Sequence, residues 1–382
     1  MSVKELLKWS LLFCVTIGTV VMYLPDVYLS AQYVQIKNVL IVALGSVLVL
    51  SFSIRDYSSN IFLRKFVFAI VIVTLECVLF FLFSLKVHWD DLTQLVLVLL
   101  FILVGMGMAY NRHAMIALCT LYCISTLILA VMSLNTYLGG FNLAANPFLI
   151  EGKNQLGAIV AIGGGMAFFL SQSVKGKVKW LYYSLALAIF LLLLIIRCRT
   201  ALVAYFLFVA FFVLRYWSGR SKSFFCLLFV FIFIVYSEAI LDLINSVIFE
   251  NKDAEDLNSV STGRFERNSQ GIEYFLSHFF DGELLDRSGI RLIHNYILLR
   301  LVRYGIWGLA FVYVYLLILI ENIRCFVKNQ SQLLLIGAYL LTIPLFCSLF
   351  EPSAPFGPGT VQLIPFLLFG IAIKGEQNAS ID

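Results

Sequence analysis

The sequence is short of charge: 13% of its 382 residues are Asp, Glu, Lys or Arg, while 61% are hydrophobic, and the mean hydropathy is +0.95. Soluble domains carry about 25% charged residues, so a water-solvated globule is excluded and a polytopic membrane protein is implied. Histidine is scarce as well, with 4 in the chain, and none stands with cysteines or carboxylates at metal-ligand spacing. The 8 cysteines (Cys14, Cys77, Cys119, Cys123, Cys198, Cys226, Cys325, Cys347) form no CxxC pair and lie mostly in apolar runs, which makes them packing residues. No metal, nucleotide-cofactor, nucleic-acid or Ser-His-Asp signature is found. The glycines Gly163 to Gly165 lack the lysine and strand of a phosphate loop and read as a close helix contact. Paired carboxylates of the glycosidase kind are missing too, since Asp90 and Asp91 sit at a short turn. After "MSVKELLKWSLLFCV" no small-residue cleavage site precedes Pro25 and Asp26, so the first apolar run reads as a retained helix and not as a signal peptide.

What the chain does have is long apolar runs. A span needs about 20 apolar residues, and on that rule about twelve spans are expected. Their limits fall near 7–24, 37–54, 66–85, 92–110, 114–135, 155–173, 180–197, 200–217, 224–246, 296–320, 332–350 and 361–373. With a cytoplasmic N-terminus, each inner segment is basic: Lys4 and Lys8; Arg55, Arg64 and Lys65; Arg112; Lys175, Lys177 and Lys179; Arg215, Arg220 and Lys222; Arg324 and Lys328; Lys374. That is the positive-inside pattern, and it puts both termini in the cytoplasm. No internal repeat and no soluble domain is visible, so residues 1–382 read as one membrane domain. A long external loop, 246–293, joins the ninth and tenth spans and begins acidic, "FENKDAEDLNS", before turning basic and aromatic.

The basic residues left on the outer side gather in clusters. "IRLIHNYILLRLVRYG" holds Arg291, His294, Arg300 and Arg303. On a helix from Arg287 onward, about 100° per residue puts Arg287, Arg291, His294 and Gly305 on one stripe. Arg300 and Arg303 then face the other way and need partners on another helix or in the headgroups. "IIRCRTALVAYF" sets Arg197 and Arg199 at a tight turn, with Thr200 available as a cap; two guanidiniums beside a helix N-terminus form an anion site. "STGRFERNSQGIEYF" reads as a capped amphipathic helix on the outer surface, with Arg264, Arg267, Gly271, Phe275 and His278 on one side. "NPFLIEGKNQLGA" places Lys153 and Asn154 at a span entrance. Taken singly, each has a plainer reading: a snorkelling arginine, a helix cap, a hairpin turn, a helix that only covers the bundle.

Taken together, the clusters resemble the O-antigen ligase and polymerase superfamily of bacterial inner membranes, the Wzy/WaaL-like membrane glycosyltransferases. The signals stand in order: "KN.LG" at Lys153, Asn154, Leu156 and Gly157; "R.RTA" from Arg197 to Ala201; "TGR" from Thr262 to Arg264; "HN" at His294 and Asn295; then Gly305. The likeness covers about residues 140 to 320 and departs from the pattern at Cys198, where a small polar residue is expected. It implies an all-α GT-C-like fold with short helices in its periplasmic loop. It also implies metal-free transfer of a glycan from an undecaprenyl-pyrophosphate-linked oligosaccharide to an acceptor hydroxyl on the periplasmic side.

In that reading Arg199 and Arg264 stabilise the leaving diphosphate, and His294 orients or deprotonates the acceptor hydroxyl. Arg291, Arg197, Lys153, Asn154, Arg267, Asn295 and Gly305 line the substrate site. Direct attack inverts the anomeric centre. The expected partners are the lipid-linked oligosaccharide, membrane lipids and a chain-length regulator, with no nucleic acid. A polymerase is favoured over a ligase acting on lipid A core, because "HNYILL" runs straight into an apolar helix with no acid after the HN pair. A lipid-linked oligosaccharide flippase is the non-enzymatic alternative.

Overall fold

The computed structural model describes residues 6, 9–10, 31–50, 60–108, 112–138, 153–196, 198–235, 237–238, 263–285, 293–328, 335–352, 354–356 and 363–379. Among them 86% are helical and none is in a strand. In chain order the helices are α1 (Ala31–Leu50), α2 (Ile61–Leu82), α3 (Trp89–Gly107), α4 (Arg112–Leu138), α5 (Lys153–Ser173), α6 (Lys177–Ile196) and α7 (Arg199–Tyr216). They continue as α8 (Gly219–Val235), α9 (Arg264–Ser277), α10 (Tyr296–Tyr304), α11 (Leu309–Lys328), α12 (Ile336–Cys347) and α13 (Leu363–Ala379), with a 3-10 turn, Gly305–Gly308, between α10 and α11.

The all-helical class is as expected. Among the described residues, 6 stretches are long and apolar enough to cross a membrane: α2, α3, Leu156–Ser173, α6, α7 and Tyr296–Val327, which runs through the 3-10 turn. Shorter apolar helices cover Met115–Val131, Ile336–Cys347 and Leu363–Lys374. The span expected at 7–24, Trp9 and Ser10 apart, and the whole acidic start of the 246–293 loop lie outside the described residues.

Burial separates the bundle into an axis and a lipid-facing shell. Only 33% of the apolar window of α2 is buried, whereas 83% of that of α5 is. Phe68, Val71, Leu75 and Leu79 of α2, like Leu187 and Leu191 of α6 and Phe206 and Leu207 of α7, face outward. So much contiguous apolar surface is costly in water and favourable against acyl chains. α5 becomes the axis because its three successive glycines leave room on three sides. A Cβ on Gly163 would collide with Thr126 of α4; one on Gly164 would come within 3.0 Å of Ile189 of α6 and of Tyr205 of α7; and one on Gly165 would lie 3.3 Å from Leu340 and Ile343 of α12. α3, α13 and α12 pack by the same device, for a Cβ at Gly105 or Gly370 would strike the opposing backbone of α13 or α3. Where lipid removes the hydrophobic drive between helices, such close backbone contact holds them together. The packing role expected of the cysteines also holds: Cys77, Cys119, Cys123, Cys198, Cys325 and Cys347 are buried, and among the described residues Cys226 is exposed.

The tenth expected span is broken. Helix α10 ends at Tyr304 and Gly305 turns the chain with φ 59°, ψ −139°. A Cβ at Gly305 would meet the Phe279 carbonyl oxygen at 2.7 Å, so the loop after α9 seals against this turn. Ile306 N–H donates to that carbonyl at 2.7 Å, and Glu283 N–H reaches the Val302 and Arg303 carbonyls at 3.1 Å. Arg300 and Arg303 find their partner on another helix. Asp91, in the first turn of α3 and 4% exposed, lies 2.5 Å from Arg300 Nη1 and 3.0 Å from Arg303 Nη1, and accepts a hydrogen bond from the Tyr304 hydroxyl at 3.1 Å. The Arg300 guanidinium also lies 4.6 Å from the centre of the Tyr296 ring, a cation-π contact.

Two outcomes follow. Gly370→Ala pushes α13 away from α3, and the melting temperature in detergent falls, while Gly219→Ala, with open space around it, leaves it unchanged; equal melting curves would refute the packing account. Asp91→Ala strands the buried Arg300 and takes the partner of the half-buried Arg303, and costs about 3–5 kcal/mol in denaturant titration; a loss under about 1 kcal/mol would show that the network is solvated.

Candidate active site at one end of the bundle

The site is built around the start of α10. Asn295 is its N-cap: the side-chain oxygen accepts from Leu298 N–H at 3.0 Å, and φ −150°, ψ 126° keep Asn295 extended. Ile293 and His294 precede this cap and are not helical, so the helix begins at Tyr296, and the continuous stripe from Arg287 does not form. The physical reason is the cap itself, because Asn stops helix growth towards the N-terminus by binding the orphan amide. The residues after α12 fix the cap in space. Asn295 Nδ2 donates to the Leu349 carbonyl at 3.2 Å, and Tyr296 N–H to the Ser348 carbonyl at 2.9 Å.

Helix α9 lies over this junction through Gly271, its one buried residue, where a Cβ would come within 2.9 Å of Ile293 and 3.3 Å of Leu298. Its N-cap is Gly263 in the left-handed region (φ 75°), with no side-chain cap. The rest of its surface is exposed or half-exposed, Phe265, Ile272 and Leu276 included. Docked so, α9 brings two arginines to the histidine. Arg267 Nη1 lies 3.1 Å from His294 Nε2. A guanidinium can only donate, so Nε2 accepts, and the ring is neutral with its proton on Nδ1. Electrostatics agrees: burial first, then Arg264 and Arg267, lower the His294 pKa from 6.5 to about 4. Its Nδ1 is buried and has no hydrogen-bond partner among the described residues. Arg264 is held otherwise, donating to the Phe350 carbonyl at 2.8 Å and pairing with Glu351 at 3.0 Å. Burial raises the Glu351 pKa, and Arg264 offsets part of the rise.

A second pair of motifs meets where α5 and α7 begin. Lys153 opens α5 and Arg199 opens α7, with Cys198 as the N-cap of α7. Thr200 is therefore inside the helix and is not its cap. Cys198 Sγ lies 3.7 Å from the side-chain oxygen and 3.8 Å from the carbonyl of Asn154. A Cβ on Gly157 would overlap Cys198. The residue that departs from the family pattern is thus a buried plug between the "KN.LG" and "R.RTA" segments, where a small apolar side chain with a weak donor fits.

Arg264, Arg267, His294 and Asn295 are therefore drawn together, and Asn154 meets Cys198, the cap of the Arg199 helix, as a pair of its own. Gly305 stands apart, packed against Phe279 to Gly282. The side chain of Lys153 and the whole of Arg197, Arg287 and Arg291 lie outside the described residues. Sequence reasoning missed Glu351. Its signal was available, as the first carboxylate after the eleventh apolar run and one residue before Pro352.

These features define a class: a helical membrane protein that holds a cation-rich polar site where several helix ends converge. No protein-family model and no curated protein matches the chain.

The depressed His294 pKa has a consequence with a definite sign. The folded state favours the neutral ring, so the stability it contributes is whole above pH 6.5 and is lost as pH falls towards 4. In histidine-labelled NMR the His294 ring stays neutral at pH 5.5, and His294→Gln flattens the decline of thermal stability between those values. A ring titrating near 6.5 would contradict the Arg267 contact.

Proposed function

We propose that this chain is a membrane glycosyltransferase of the O-antigen polymerase type. It extends undecaprenyl-pyrophosphate-linked repeat units at the periplasmic face of a bacterial inner membrane. The observation that carries the reading is the convergence of Arg264 and Arg267 of α9 with His294, from two separate stretches of sequence, at one end of an apolar bundle. That is the chemistry a lipid-linked diphosphate donor requires: cations for the leaving group, and a neutral imidazole for the acceptor.

In the reaction the anomeric C–O bond to the diphosphate breaks, and undecaprenyl diphosphate departs with the electron pair. The acceptor hydroxyl oxygen bonds to the opposite face of the anomeric carbon, inverting it, and its proton passes to a base. The resting contacts suggest how donor and base are linked. Arg267 occupies the His294 Nε2 lone pair at 3.1 Å. A diphosphate that draws Arg267 to itself frees this nitrogen, and the added negative charge raises the His294 pKa at the same time. Arg264 likewise exchanges the Glu351 carboxylate for phosphate oxygens. Arg199 supports the same leaving group from the start of α7, where backbone N–H groups favour an anion.

The test is reconstitution with a lipid-linked repeat unit. His294→Ala and Arg264→Ala each reduce chain extension by about a hundredfold or more, and full extension by both variants would remove the assignment. In cells, a deletion strain that keeps a single repeat unit on its lipid A core identifies a polymerase, whereas loss of all ligated glycan identifies a ligase.

A further inference from the structure

At the end of α5 away from Asn154, about 30 Å along the helix, is a cavity of about 530 Å³ lined by Gln172, Lys179, Tyr183, Tyr216, Trp217, Ser218, Arg220 and Ser221. The lining has no carboxylate, and Tyr183, Tyr216 and Trp217 give it aromatic walls. Two cations from different elements face it: Lys179, in the first turn of α6, and Arg220, in the first turn of α8. Neither is paired with a carboxylate among the described residues. Lys179 instead lies 5.5 Å from the centre of the Tyr183 ring. Hydroxyls complete the donor set, with Ser218 Oγ and Ser221 Oγ 3.0 Å apart and the Tyr183 hydroxyl held by the Gln172 amide. Two cations lining one cavity with no carboxylate in it favour an anion there, and the hydroxyls and amide suit phosphate oxygens.

We infer that this cavity binds the phosphate headgroup of an anionic phospholipid. A phosphate ion alone has two possible sources here, free in solution or on a lipid, and the surroundings favour the lipid. Val178, Trp180 and Leu181 of α6 and Leu214 of α7, next to the lining residues in sequence, are exposed apolar side chains placed to meet acyl chains. The volume exceeds what a bare phosphate fills and suits a headgroup with its glycerol. The positive-inside pattern assigns Lys175, Lys177, Lys179, Arg215, Arg220 and Lys222 to the cytoplasmic face, where anionic lipids attract basic residues. The inference is independent of the proposed glycosyl transfer.

The experiment measures thermal stability and lipid retention, by native mass spectrometry, of the full chain in nanodiscs. Discs of phosphatidylcholine alone are compared with discs containing phosphatidylglycerol, and a third sample receives inorganic phosphate in phosphatidylcholine. The wild type is stabilised by phosphatidylglycerol and retains it, and inorganic phosphate has no such effect. Lys179→Gln/Arg220→Gln lowers retention by about tenfold or more and melts like the wild type in phosphatidylcholine; should that double variant not fold, Ser218→Ala/Ser221→Ala serves, with a smaller loss expected. Equal retention by wild type and variant overturns the site, and stabilisation by inorganic phosphate to the same extent overturns its assignment to a lipid.

Discussion

The position of the candidate active site depends on one buried carboxylate. Asp91 sits between Arg300 and Arg303, with the Tyr304 hydroxyl completing its shell. In a bundle interior an unpaired charge is far more costly than a pair, so α10 cannot rotate or slide along α3 without stranding an ion. Fixing α10 fixes its cap, Asn295, and with it the histidine just before. Two tethers from the end of α12, at Ser348 and Leu349, add a second reference point. The third is steric, since the missing side chain at Gly271 lets α9 seat on Ile293 and Leu298. His294 is thus located by three independent elements, all distant from it in sequence.

Local signals and distant partners differed in how legible they were. Helices between 61 and 217 follow from apolar run length, and their observed limits depart from the expected ones by a few residues, because caps such as Asn60 decide the last turn. The glycine triplet in α5 read correctly as a packing device because its position inside an apolar run allows little else. The surface helix α9 was legible from its amphipathic pattern. Its target was not, since nothing in "STGRFERNSQGIEYF" tells which junction Gly271 will meet. The same holds for the carboxylates. Asp91 and Arg303 are 212 residues apart, and Glu351 and Arg264 are 87 apart. Charge alone offers a clue: a buried arginine such as Arg300, 2% exposed, requires an acid at equal depth, and α3 begins with two. The stripe that ran Arg291, His294 and Gly305 together failed because a helical wheel assumes a helix throughout. Asn295 is a strong N-cap residue and was readable as the place where that assumption ends.

The Arg264 and Arg267 contacts differ in kind, and the difference matters for turnover under the proposed reaction. Arg267 rests on a neutral ring, a weak hold that an anion breaks with little cost. Arg264 rests on a carboxylate in a half-dry setting, a stronger hold, and its exchange for phosphate oxygens sets a limit on donor affinity. That limit is useful. A site that stabilised the diphosphate equally before and after bond cleavage would retain its product, and rate is gained only from contacts that strengthen in the transition state. Glu351 competes for Arg264 at each stage, and so limits how tightly the site holds the spent carrier as well as the donor. Under the proposed reaction a carboxylate that neutralises Arg264 therefore favours release, and the burial that raises its pKa makes its protonation, once Arg264 has let go, a way to leave no stranded charge behind.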